Sequence, residues 1–168
     1  MLVAMDNSEK RSIKEAPIEE QLPAFVDEHR HNLLATLDGM SGEEARRSLV
    51  PSRTTLLSLV KHAIFVETVW FGEAVTGRHR TEYGLPGDAA ESFILDEADT
   101  VESIASGYRK ALDASHRAVV GMTLDTVLTG HHSGPLPLRW VYLHMLRELA
   151  QHCGHAEILR EQIIAARP

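Results

Sequence analysis

Apolar residues recur along this chain at helical rather than strand intervals, in four long stretches separated by Gly- and Pro-containing segments. The first stretch, from about Ile18 to Leu37, sets Leu22, Phe25, Val26, Leu33 and Leu37 on one expected core face, and Asp38-Gly39 ends it. Ser41-Gly42-Glu43-Glu44 begins like a short capped helix before Pro51-Ser52 breaks the chain. A second helix is predicted from about Thr54 to Thr76, with Gly77 just past its end. Leu56, Leu57, Leu59, Val60, Ile64, Val66, Val69, Trp70 and Phe71 cover most of its circumference, so it should be the most buried. Asp99-Thr100-Val101-Glu102 has capping-box spacing and opens a third helix reaching about Val120. The fourth starts near Pro137, a favourable first-turn residue, and runs to about Ala165.

Four such helices with polar connections predict an all-α, four-helix bundle. The Arg78–Glu97 loop is long enough to be a crossover between the second and third helices, and such loops often form the wall of a site. Residues 1–16 are polar and aperiodic and precede Pro17, which predicts a loose N-terminal arm on a single domain spanning 17–168.

Composition narrows the functional classes. Hydrophobic residues make up 43% and aromatics only 5%, which favours helices over a sandwich or barrel. The net charge is −7 and the Lys and Arg residues are scattered, so a nucleic-acid partner is not expected. Cys153 is the single cysteine, which rules out an intramolecular disulfide and a Cys-based zinc site. No stretch approaches the ~20 apolar residues that span a bilayer, and the apolar run at Met1 is too short for a signal peptide. A cytoplasmic protein without a membrane partner is the expectation.

The candidate chemistry lies in the run from His144 to His155. His144, Glu148 and His152 are spaced i, i+4, i+8 and stack along one side of a helix. Side chains one turn apart have Cβ atoms about 6 Å apart, close enough to share one ion. His62, in the most apolar helix, would add a ligand from a facing helix, as bundle metal sites require. His62, Glu148 and His152 offer two nitrogens and one oxygen, a set suited to zinc or another divalent transition metal with open positions. His144 and His155 are near enough to replace a ligand or to support one. Against this, a lone His on an apolar face is often a hydrogen-bonded core residue, and Glu148 with His152 could be a solvated helix pair. His131-His132 reads as a loop pair, His29 and His31 as solvated, and Cys153, Trp70, Phe71 and Trp140 as packing residues.

Two blocks of sequence resemble a known family. Thr54-Thr55-Leu56-Leu57-Ser58-Leu59-Val60-Lys61-His62 followed by Val66-Glu67-Thr68-Val69-Trp70-Phe71-Gly72 is similar to the second-helix motif of an actinobacterial branch of the DinB-like superfamily. The segment from Pro137 to Met145, continuing through Glu148, His152, Gly154-His155-Ala156 and Leu159-Arg160-Glu161, resembles that branch's fourth helix, and Leu37-Asp38-Gly39-Met40-Ser41 its first connection. The resemblance implies a four-helix bundle holding a divalent metal, zinc or nickel first, through His62, Glu148 and His152. The Glu-X₃-His form resembles mycothiol-dependent maleylpyruvate isomerase, and related members are S-transferases using bacillithiol, glutathione or mycothiol. Where many members read His-Arg-Gly-Gln, this chain has His152-Cys153-Gly154-His155, and it ends at Pro168 without the isomerase's C-terminal domain.

The expected function is therefore a metal-dependent, thiol-dependent S-transferase or isomerase-like activity, with a low-molecular-weight thiol such as mycothiol and an electrophile as its small-molecule partners. The rival expectation is a non-catalytic metal-binding bundle or a homodimeric interaction module.

Overall fold

The computed structural model describes residues 13–168. The arm expected over 1–16 falls mostly outside them; residues 13–15 make a helical turn, and Gln21 Nε2 donates to Ala16 O at 2.8 Å. The helices are α1 (Ile18–Ala35), α2 (Gly42–Ala45), α3 (Leu56–Glu67), α4 (Ala74–Thr76), α5 (Val101–Ala118) and α6 (Leu138–Ala165). A π-helical segment, Thr68–Glu73, joins α3 to α4. Two short strands, β1 (Val127–Leu128) and β2 (Leu136–Pro137), pair antiparallel just before α6, an element the helical pattern did not predict. The protein is an all-α bundle.

Residue pairs between helices set their directions. His62 lies against Glu148 and His152 while Trp70 lies against His144 and Trp140, so α3 and α6 run antiparallel. Lys61 meets Asp99 and Glu67 meets Ser115, so α3 and α5 run parallel. Cys153 meets His29 and Arg160 meets Thr36, so α1 and α6 also run parallel. The order is up, down, down, up. Parallel neighbours α3 and α5 need a crossover, and the 78–97 loop supplies it.

The ends of the helices follow local chemistry. Thr55 and Ser58 form a reciprocal capping box at α3, and Ser41 and Glu44 another at α2. At α5 the cap sits one residue later than predicted: Thr100 is the N-cap and Ser103 reciprocates. Asp99 is unavailable because its carboxylate accepts from Lys61 Nζ at 2.7 Å and from the Asp96 amide at 2.8 Å. Gly77 ends α4 with φ of 74°, a conformation that carries no Cβ penalty only in glycine.

The core is mostly the predicted one. Leu56, Leu57, Leu59 and Val60 are fully buried, as are Val26 and Leu33. Phe25 and Trp140 are not: they are 43% and 41% exposed, so both depart from the packing roles predicted for them. A single-helix period locates a face only to within its edge positions, and these two rings fall there.

A buried ionic cluster was also not foreseen. Arg30 donates to both carboxylate oxygens of Glu67, at 2.7 and 2.6 Å, and to Asp27 at 2.8 Å. Ser115 donates to Glu67 as well, at 2.7 Å, while the Arg30 guanidinium sits 5.0 Å over the Phe71 ring. The cluster ties α1, α3 and α5 together immediately before the π segment. The widened turn then directs Trp70 toward α6 and Phe71 into the core beside Tyr142.

Candidate metal centre

His62 projects from α3 toward the Glu148–His152 side of α6. Its Nε2 is 3.4 Å from Glu148 Oε1, and His152 Nε2 is 3.0 Å from the same oxygen. The two imidazole rings stand nearly edge to face, 5.0 Å apart at 80°. One donor atom from each residue falls within 4.8 Å of the other two. His62 is buried, whereas the Glu148 side chain is 26% exposed, so the cluster opens to solvent on the α6 side.

The crossover loop determines the protonation of His62. Ser92 Oγ lies 2.5 Å from the Ala89 carbonyl and 2.7 Å from His62 Nδ1. The serine has one hydrogen, and at that separation it must go to the carbonyl. His62 Nδ1 therefore carries the proton and donates to Ser92, leaving Nε2 with a bare lone pair. That lone pair faces a carboxylate oxygen with no hydrogen between them, an arrangement that calls for a cation. His152 Nδ1 is buried without a hydrogen-bond partner among the described residues, while its Nε2 lies on the Glu148 side. Burial pushes the His62 imidazole below its ordinary pKa, so the neutral, ligating form dominates. A hydrogen bond from His152 holds the Glu148 carboxyl far below the usual carboxylate range. The residues present fit a divalent ion.

The loop is pinned rather than loose. Phe93 stacks on His62 at 4.1 Å and 16°, covering one ring face. Lys61 Nζ donates to Ile94 O at 2.8 Å and to Asp96 and Asp99 at 2.9 and 2.7 Å. At the other end Arg80 donates to both oxygens of Glu73, at 2.8 and 2.9 Å. Ser92 and Phe93 were absent from the candidates read from the sequence; nothing in a Ser-Phe pair thirty residues from His62 signals a contact with it.

The other histidines lie outside the donor cluster. His144 turns to an aromatic group, 4.4 Å from Trp70 and stacked 5.1 Å from Trp140, and its Nδ1 accepts from Arg147 at 2.9 Å. His155 is exposed, its ring 6.1 Å from that of His152. His131 lies in a loop, as expected, and is buried there against Trp70 at 4.4 Å. With Glu73 and His132 it forms a second group of potential donors, but Arg80 already occupies both Glu73 oxygens. Cys153 is buried, and its thiol points to the His29 carbonyl at 3.3 Å, away from the centre.

The sequence model of the mycothiol-S-transferase (MST) family matches residues 21–165, nearly the whole described chain. The chain belongs to this family. The assignment is consistent with the DinB-like resemblance and attaches a thiol-related transferase character to the fold. A comparison with curated protein sequences finds no match. Among the described residues, no helix is long and apolar enough to cross a membrane.

Proposed function

We propose that this protein is a divalent-metal-dependent S-transferase that joins mycothiol to an organic electrophile, with His62, Glu148 and His152 as the metal ligands. The observation that carries this reading is the bare His62 Nε2 facing Glu148 Oε1 at 3.4 Å, with His152 on the same oxygen. Two imidazoles and one carboxylate suit zinc or nickel and leave positions for exogenous groups, the pattern of catalytic sites. When bound, the ion would supply a low-pKa environment for the thiol sulfur, making it a thiolate at neutral pH.

The chain's own residues prepare that chemistry. Ser92, through Ala89 O, holds the tautomer of His62. Phe93 keeps water from one face of the imidazole. Glu148 contributes the single negative charge, so a divalent ion leaves a net positive centre that favours an anionic sulfur. The overall reaction forms a carbon–sulfur bond and releases the leaving group with the thiol proton. A reducing compartment rich in the thiol, such as the cytoplasm, is where this activity belongs.

Elemental mass spectrometry of wild type, His62→Ala and Glu148→Ala is the first test. Near-stoichiometric metal in wild type and its loss from both variants is the expected result. Metal-loaded wild type should then consume mycothiol with monochlorobimane faster than His62→Ala does. Equal rates sink the catalytic reading, and failure to take up metal on reconstitution sinks the metal reading with it.

A further inference from the structure

We propose that the electrophile occupies a groove on α6 just beyond His152, and that this groove selects neutral, apolar electrophiles. The inference rests on the thiol-transferase reading above. Glu148, His152, His155, Leu159 and Gln162 follow one another at spacings of four, three, four and three, so they form one stripe along α6. The first two belong to the candidate metal centre; the last three line the groove. The groove therefore continues the metal-centre side of the helix, with His155 as the shared wall, its ring 6.1 Å from that of His152. Leu159, seven residues past His152, lies about 10 Å further along the axis, the length of a small aromatic or alkyl molecule.

Its lining defines the ligand. The volume is about 330 Å³, at the small end of ligand pockets. Leu49 and Val50, from the segment before α3, face Ile158 and Leu159 across it. Three of these four are left unusually exposed, at 37%, 39% and 57%, forming an apolar surface that no other described element covers. Among the described residues no Asp, Glu, Lys or Arg lines the groove. Ser52 donates to Thr54 at 2.9 Å, so the two hydroxyls at the rim already engage each other. His155 and Gln162 are the groove's remaining polar side chains, and the apolar face of Leu49, Val50, Ile158 and Leu159 suits an uncharged, apolar electrophile better than a polyhydroxylated thiol.

The test uses Ile158→Glu and Val50→Glu, both at exposed positions, with 1-chloro-2,4-dinitrobenzene as the electrophile. The Michaelis constant for this probe should rise about tenfold or more in each variant. The constant for mycothiol, the metal content and the thermal midpoint should stay at wild-type values. A direct readout needs no turnover: methyl NMR of ¹³C-labelled Leu, Val and Ile during titration with unreactive 1,3-dinitrobenzene. Shifts at Leu49, Val50 and Ile158 support the groove. Still methyls, or a rise in the mycothiol constant with the electrophile constant unchanged, overturn it. Methyl shifts in a wild type inactive with every thiol retain an apolar-ligand groove and overturn the thiol-transferase reading instead.

Discussion

Ser92→Ala is the most discriminating small perturbation of the candidate centre. The substitution removes one oxygen that touches no metal position, yet it deletes the acceptor for His62 Nδ1. In that buried setting an N–H without an acceptor costs about 1–3 kcal/mol. The imidazole avoids this by moving its proton to Nε2 and donating to Glu148, 3.4 Å away. A divalent ion must then reverse the shift before it can bind. Metal affinity should therefore fall about 10–100-fold, the usual effect of losing the group that orients a ligating histidine, equivalent to about 1.4–2.8 kcal/mol. Competition titration of the purified protein against a chromophoric zinc chelator measures this. Ser92→Thr, which keeps the hydroxyl, should restore most of the affinity. If Ser92→Ala binds zinc within twofold of wild type while His62→Ala loses it, the tautomer argument is wrong.

Three further outcomes are expected. Arg30→Ala should lower unfolding stability by about 3–5 kcal/mol in urea melts, because Glu67 would remain buried without its partner; an Arg30→Met, Glu67→Met double variant should regain much of it. In chelator-treated protein, stability should fall as pH drops below about 6.5. Burial lowers the pKa of His62 and His131 in the fold, so the unfolded chain takes up protons there first, each group contributing a slope of at most about 1.4 kcal/mol per pH unit. The depressed carboxyl of Glu148 extends the loss below about 4.5 and that of Asp27 below about 3.8; urea melts between pH 7.5 and 3 that stay flat would contradict these assignments. Burial pushes the Cys153 thiol up to about 12, so native protein should react with iodoacetamide far more slowly than urea-unfolded protein at pH 8; comparable rates would place the thiol at the surface.

Much of this protein is local physics, and that part was legible in the sequence. Helical periodicity located the four bundle helices to within a few residues, because each face is written at intervals of three and four. The same interval put Glu148 and His152 on one side of α6, and His62 could be nominated only because it interrupts an apolar helix. The cap of α5 marks the limit: Asp99 has the right spacing, but Lys61 on another helix claims its carboxylate. Phe25 and Trp140 turn outward because their burial depends on which neighbour packs beside them, not on their own helix. Tertiary structure alone decided the Arg30–Glu67 ion pair and the Ser92 hydroxyl that orients His62. Each joins residues 30 or more positions apart. Their pairing follows from how the whole bundle closes, since no helical repeat reaches that far along the chain.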